Sequence, residues 1–222
     1  MFDRSLRQFK DRVGAPLARH MSQVPPMVIS ILALVIGLLA TYAAFKGQYL
    51  FALALWILNR VLDGLDGLIA RLHDRQSDFG GYADILTDFI VYASLPIGLV
   101  AGSPSNERYI ALAFMLASFY INSASWMYLA AILEKRTARH PETQTTIVMP
   151  TGLIGGLETI IAYGTFLLFP ARITLLFSIF AALVFITVVQ RFIWAKRNLT
   201  PEPGTHDTKI KLDRPQLHPS NR

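Results

Sequence analysis

Predominantly apolar runs recur along most of this chain, separated by short breaks that contain polar residues, glycine or proline. A helix that spans a membrane needs about 20 such residues. The pattern predicts an all-α, polytopic membrane protein whose six-helix domain covers residues 23–197. We expect the six transmembrane helices at about residues 24–45, 48–73, 79–101, 108–134, 152–170 and 172–195.

The two ends of the chain have a different pattern. In residues 1–22, apolar positions such as Phe2, Leu6 and Phe9 recur at helical spacing between basic residues. This spacing predicts an amphipathic helix that lies on the membrane surface, with a solvated basic arm as the alternative. Residues 198–222 are rich in proline and poor in apolar side chains, which predicts a disordered cytoplasmic tail.

Composition narrows the class of protein. The chain has 222 residues, of which 53% are hydrophobic and 16% are charged, and its mean hydropathy is +0.40. Soluble domains carry roughly 25% charged residues, and so short a chain cannot bury this much apolar side chain in one water-soluble core. The absence of cysteine excludes disulfides and thiolate sites, and the five scattered histidines form no HExxH pair.

The basic residues predict the orientation. If both termini are cytoplasmic, 18 of the 21 lysines and arginines lie on the inner side, and only Lys46, Arg108 and Arg172 lie outside. We therefore expect an inner-membrane protein with both termini in the cytoplasm. Contact with anionic headgroups explains the net charge of +6 without a nucleic-acid partner.

Four aspartates interrupt the second and third apolar runs: Asp63, Asp66, Asp84 and Asp88. An acidic side chain within a span costs at least about 2.5 kcal/mol on insertion scales. Basic residues within the spans are too few to compensate four acids, so we expect another partner. An intramembrane acid of this kind is a candidate functional residue.

Spacing suggests how these acids meet. Asp63 and Asp66 share one helix face, as do Asp84 and Asp88. The polar stretch 74–78 joins the two helices as an antiparallel hairpin, so all four acids lie roughly 9–17 Å below its tip. Such a set of oxygens suits Mg²⁺ or Mn²⁺. The alternative is that some acids stay protonated and form hydrogen bonds within the bundle.

Small residues and an arginine accompany the acids. Gly67, Ala70 and Gly80 either allow close helix packing or let a ligand approach the backbone. Arg71 lies near the predicted cytoplasmic surface, where it either extends to the headgroups or binds a phosphate. Carboxylates, a metal, small residues and an arginine together suit a pyrophosphate ligand.

The segment has the form D-x2-D-G-x2-A-R-x8-G-x3-D-x3-D, and the chain has the required residue at each of the eight fixed positions. This pattern resembles the signature of the CDP-alcohol phosphotransferase family, the CDP-alcohol phosphatidyltransferases of phospholipid synthesis. These positions are Asp63, Asp66, Gly67, Ala70, Arg71, Gly80, Asp84 and Asp88.

The resemblance implies a transferase that takes a CDP-linked lipid, usually CDP-diacylglycerol, and releases CMP. The phosphoalcohol part of the CDP-linked lipid passes to the hydroxyl of a small alcohol or phospho-alcohol acceptor. The resemblance also implies that the four motif aspartates hold one or two Mg²⁺ or Mn²⁺ ions, that Asp88 is the base, and that the enzyme is a homodimer. The implied donor-binding residues are Gly67, Ala70, Arg71, Ser77 and Gly80.

One position departs from the family pattern. Members often carry P-N-x-[IV]-T before the first span, where the asparagine helps to hold the nucleotide. Here the stretch reads Pro26-Met27-Val28-Ile29-Ser30, so Met27 replaces the asparagine. A catalytically inactive relative is therefore one alternative function. A cation or proton carrier that uses the intramembrane acids is another.

The acceptor site has weaker candidates. Lys135, Arg136 and Arg139 follow the fourth run and suit an acceptor phosphate, although positive-inside charge explains them as well. Glu158 falls inside the fifth predicted span and suits an amino or hydroxyl group of an acceptor.

Overall fold

The computed structural model describes Pro16, Ala18, Met21, residues 24–139 and residues 152–199, and its regular structure there is entirely helical. The predicted surface helix over residues 1–22 lies almost wholly outside the described residues. The predicted tail lies outside them beyond residue 199. The helices are α1 (Pro26–Phe45), α2 (Tyr49–Leu72), α3 (Asp78–Gly102), α4 (Asn106–Arg139), α5 (Gly156–Leu168), a 3₁₀ turn (Pro170–Arg172) and α6 (Ile173–Leu199).

Local sequence explains where several helices begin and end. Pro26 opens α1, where a missing backbone N–H is tolerated. Gly47, with φ of +73°, allows the reversal into α2. Asp74 has φ of 51° just beyond the end of α2, a conformation that Asp adopts more readily than most residues. Ser77 caps α3 by accepting a hydrogen bond from the Gly80 N–H at 3.0 Å.

Among the described residues, four helices are long and apolar enough to cross a membrane by length and composition: α1, α3, α4 and the segment from the 3₁₀ turn through α6. Helix α2 carries two aspartates and two arginines, and α5 has only 13 residues. The helices thus follow the six predicted segments closely, whereas the count of six spans stays a prediction. Helix α4 continues five residues beyond its predicted end, to Arg139.

Helix α1 packs against both α2 and α3. Its buried face carries small residues at helical spacing, including Ala33, Gly37 and Ala40, which allow close approach. A Cβ atom at Gly37 would come within 2.5 Å of Val91 on α3, so only glycine fits there. Helices α2 and α3 make few close main-chain approaches to each other. Long side chains therefore bridge the space between them.

Aromatic side chains fill the middle of the bundle below the α2–α3 connection. Tyr163 on α5 stacks on Trp56 of α2 with ring centroids 5.1 Å apart, and it meets Tyr92 of α3 edge-on at 5.1 Å. Such pairs contribute about 0.5–1.5 kcal/mol beyond area burial. This aromatic core continues towards α6 and comprises Trp56, Tyr92, Phe119, Tyr163, Phe166, Phe177 and Phe180.

Candidate functional site

The four motif aspartates lie near the ends of α2 and α3 that the stretch 73–77 connects. Asp66 is 5% exposed and therefore buried, whereas the side chains of Asp63 and Asp88 are 25% and 29% exposed. Asp84 is half-buried. We refer to these four residues as the acid cluster. Their placement on two neighbouring helices agrees with the predicted hairpin.

Arg60 is a partner for the acid cluster that the sequence analysis missed. Its Nη1 lies 2.9 Å from Asp88 Oδ1 and 3.7 Å from Asp63 Oδ2, so it joins α2 to α3. Arg60 is therefore one basic partner within the spans, for two of the four acids. One guanidinium still cannot balance four ionised carboxylates, which leaves the acid cluster suited to a further cation.

Asp66 has separate partners. The Ser30 hydroxyl on α1 donates to Asp66 Oδ2 at 2.5 Å, and the Gly67 backbone N–H donates to Asp66 Oδ1. Ser30 is itself buried. The first helix therefore orients one carboxylate of the acid cluster through Ser30, which stands at the threonine position of the P-N-x-[IV]-T pattern.

A cavity of about 290 Å³ opens beside Asp66 and Asp84. All five predicted donor-binding residues line it, together with Met27 and Ser30, so the structure brings the motif residues of both helices to one space. Asp63 and Asp88 are not part of its wall. The lining residues are Pro25, Pro26, Met27, Ser30, Asp66, Gly67, Ala70, Arg71, Arg75, Gln76, Ser77, Phe79, Gly80, Gly81 and Asp84.

Two motif glycines keep this cavity open. A Cβ atom at Gly67 would lie 3.3 Å from Arg71 Nη1, and one at Gly80 would lie 3.1 Å from Ser77 Oγ. Both distances are tighter than ordinary contact, so a larger residue would push a cavity side chain aside. The glycines of the motif therefore have a steric reason in the structure.

Within the part of the chain that the structure describes, no three acidic or histidine side chains stand ready to hold one metal ion. Asp63 and Asp88 instead face Arg60, and Asp66 faces Ser30. The donor set has the right chemistry, because hard divalent cations prefer carboxylate oxygens. Coordination by all four acids would require some of these side chains to rotate.

The acceptor candidates lie apart from the cavity wall. Lys135 and Arg136 are exposed on α4, which continues where the sequence predicted a loop. Arg136 donates to the backbone oxygens of Asn198 and Leu199 at 3.2 and 2.7 Å, so it caps the end of α6. The side chain of Arg139 lies outside the described residues.

Glu158 lies in the first turn of α5, not within its interior. Its Oε2 accepts a hydrogen bond from the Gly155 N–H at 3.0 Å, and the side chain is exposed. This contact stabilises the beginning of the helix. The helix begins at Gly156, later than the predicted start at about residue 152, so Glu158 is one of its first residues. An acceptor role for Glu158 stays a prediction.

The chain resembles known membrane proteins over much of its length. The chain is 34% identical over 173 residues to inner membrane protein YnjF of Escherichia coli strain K12. This match covers 78% of this chain and 82% of that protein. It is 35% identical over 86 residues to the CDP-diacylglycerol–serine O-phosphatidyltransferase of Mycobacterium bovis, but this match covers only 38% of this chain and 30% of the relative.

Solved structures share the fold. The phosphatidylinositol phosphate synthase PgsA1 of Mycobacterium tuberculosis with CDP-DAG bound aligns with a TM-score of 0.63 at 22% identity, covering 89% of this chain and 98% of that one. A second structure of the same synthase, with manganese and citrate, aligns with a TM-score of 0.63 at 21% identity. A family model described as CDP-alcohol phosphatidyltransferase matches residues 23–196. With this match over most of its length, the chain belongs to the CDP-alcohol phosphatidyltransferase family.

Proposed function

We propose that this protein transfers the phosphoalcohol part of a CDP-linked lipid, such as CDP-diacylglycerol, to the hydroxyl of a small alcohol or phospho-alcohol. The acceptor oxygen forms a bond to the lipid-linked phosphorus of the donor, and the bond from that phosphorus to the CMP oxygen breaks. The observation that carries the proposal is the cavity that joins Asp66 and Asp84 to Gly67, Arg71 and Ser77.

The residues of the cavity suit the two ends of such a donor. Arg71 presents a guanidinium, which binds phosphate oxygens well. Gly67 and Gly80 leave room for a ligand against the helix backbone. The apolar surfaces of α1 and α3 next to the cavity, including Val28 and Phe79, are exposed and suit the acyl chains of a lipid.

The acid cluster suits a divalent cation, Mg²⁺ or Mn²⁺, held by Asp63, Asp66, Asp84 and Asp88. A bound cation would neutralise charge on the pyrophosphate oxygens during the displacement. Within this proposal Asp88 is the base: its carboxylate takes the proton from the acceptor hydroxyl as the new ester bond forms. We also propose a homodimer with both termini in the cytoplasm.

The test is release of CMP by the purified protein in detergent. CDP-diacylglycerol is supplied with Mg²⁺ or Mn²⁺ and with serine, glycerol phosphate or inositol phosphate in turn. We expect CMP release with one acceptor and none after chelation of the metal. Absence of release with every acceptor in a broad panel would refute the transferase proposal.

Two variants make the test specific. Asp88→Asn removes the base but keeps the side-chain volume, so turnover should fall by about 10³-fold or more. Glu107→Gln is the control, because it also removes one carboxylate. Glu107 lies in the first turn of α4, next to the end of α3 that is far from the acid cluster. Full activity of Asp88→Asn would contradict the base assignment while leaving the transferase proposal intact.

The two alternatives predict different results. An inactive relative, for which Met27 is the motivation, would bind Mn²⁺ and CMP without turnover. A carrier would move cations or protons across vesicles without any requirement for CDP-diacylglycerol. Measuring ion flux and CMP binding on the same preparation separates both from the transferase.

A further inference from the structure

Arg60 lies at the boundary between the acid cluster and the aromatic core. It is one helical turn before Asp63 on α2 and one turn after Trp56. Its residue is only 7% exposed. A charged residue this deeply buried in an apolar helix costs at least about 2.5 kcal/mol on insertion scales, so its position requires a reason.

Several groups hold the guanidinium in one place. Arg60 Nε donates to Asn59 Oδ1 at 2.8 Å, and Asn59 Nδ2 is in turn bonded to the Ala33 carbonyl on α1 at 2.7 Å. Arg60 Nη1 donates to the Tyr92 hydroxyl at 3.1 Å. The guanidinium carbon lies 4.8 Å from the ring centroids of both Trp56 and Tyr92. The charge therefore has a fixed position relative to three helices.

This fixed cation contacts the acid cluster on the side that faces the aromatic core. Its Nη1 lies 2.9 Å from Asp88 Oδ1 and 3.7 Å from Asp63 Oδ2. Asp66 and Asp84 instead line the cavity on the other side. The acid cluster thus has one side next to a protein cation and one side that opens to the cavity.

We propose that Arg60 is a positioning residue for the transfer reaction, which rests on the proposed function above. It holds the Asp88 carboxylate, the proposed base, in one orientation through the contact at 2.9 Å. It also keeps a permanent positive charge beside Asp63 and Asp88, which limits the net negative charge of the acid cluster that a divalent cation meets. A structural role alone would need only a side chain that fills the same space.

The two roles predict different effects on metal binding. A fixed positive charge repels a divalent cation in the same cluster. Removal of the Arg60 charge therefore leaves the affinity for Mn²⁺ unchanged or increases it. The same substitution frees the Asp88 carboxylate that Arg60 orients, so catalysis is lost. If Arg60 only maintained the shape of the site, its removal would weaken Mn²⁺ binding together with catalysis.

The experiment compares Arg60→Met and Arg60→Lys with the wild type. Arg108→Met is the matched control, because Arg108 donates to the Ser103 carbonyl at 2.7 Å at the opposite end of α3. CMP release gives kcat and the donor KM. Titration with Mn²⁺, followed by electron paramagnetic resonance without substrate, gives the metal affinity independently of turnover.

For Arg60→Met we expect kcat to fall by about 100-fold, with the donor KM within about threefold and Mn²⁺ affinity equal or higher. Arg60→Lys retains the charge but not the planar fork that reaches Asn59 and Asp88 together. We expect the kcat of Arg60→Lys to lie between those of the wild type and Arg60→Met, about tenfold below the wild type. Arg108→Met should match the wild type.

Three results would overturn the proposal: a kcat of Arg60→Met within threefold of the wild type, weaker Mn²⁺ binding in parallel with lost activity, or equal losses in Arg108→Met. If Arg60→Met does not fold, Arg60→Lys decides, and wild-type kcat in that variant refutes a positioning role. An inactive wild type refutes the proposed function itself, which distinguishes that failure from the failure of the role of Arg60.

Discussion

The acid cluster lies on α2 and α3, and the aromatic core begins further from their connection on the same two helices, at Trp56 and Tyr92, yet the interactions of the two regions differ in kind. In the aromatic core, Trp56, Tyr92 and Tyr163 contact one another at ring distances near 5 Å, and Tyr163 also donates to the Tyr92 carbonyl at 2.5 Å. One turn nearer to the connection, the buried Arg60 guanidinium contacts Asp63 and Asp88, whereas Asp66 and Asp84 line the cavity. The first region is filled with aromatic contacts, whereas the second gathers four acidic side chains around a single buried cation and a cavity.

This difference indicates which region serves stability and which serves chemistry. Packed aromatic side chains lower the free energy of the folded state. Clustered like charges raise it unless a cation binds, so their presence points to a ligand. Substitutions in the two regions should therefore have opposite consequences for stability and activity.

The largest expected effect on this comparison comes from Asp84→Asn. The substitution removes one carboxylate from the cavity wall, so kcat should fall by about 10³-fold, or about 4 kcal/mol in activation free energy. The unfolding temperature in detergent without metal should stay equal or rise, because repulsion within the acid cluster decreases. A large fall in that temperature would show that the acids stabilise the fold, which contradicts the division between the regions.

Tyr163→Ala should have the second-largest effect, in the opposite sense. Removal of a fully buried ring from the aromatic core should lower the free energy of unfolding by about 3–5 kcal/mol. Thermal unfolding in detergent measures this loss, and kcat per folded molecule should be retained. Tyr163→Phe is the matched control, which removes only the hydrogen bond to Tyr92 and should cost about 1 kcal/mol.

Ser77 sharpens the comparison, because it belongs to both the fold and the cavity. Its hydroxyl caps α3, so Ser77→Ala should lower stability by about 1 kcal/mol. Ser77→Asp restores a capping oxygen but adds a negative charge beside the proposed donor phosphates. If Ser77 contacts the donor, Ser77→Asp regains stability but raises the donor KM. If stability and the donor KM both return to their wild-type values, Ser77 serves only as the cap.

Most helix positions were predictable from the chain, because long apolar runs in a bilayer have few alternatives to a helix. The first predicted segment, 24–45, corresponds to Pro26–Phe45. The errors fall where local signals compete. Helix α4 continues through a basic stretch that was predicted as a loop. Helix α5 begins at Gly156, after the predicted start at about residue 152, and Glu158 accepts a hydrogen bond from the Gly155 N–H there.

Arg60 shows why part of the site escaped prediction. In the sequence it is one of 18 basic residues that the positive-inside rule accounts for. Its actual contacts include Tyr92, 32 residues further along the chain, and an adjacent asparagine that is anchored to α1. No short-range pattern contains that information.

The sequence by itself determined the spacing of the four aspartates, their depth along α2 and α3 and the glycines beside them, because helical periodicity is a local property of the chain. Only the tertiary structure decided that Ser30 reaches Asp66, that Arg60 reaches Asp88 and that a cavity opens between the helices. These contacts depend on which faces of α1, α2 and α3 pack together, and that choice follows from side-chain packing across the whole bundle.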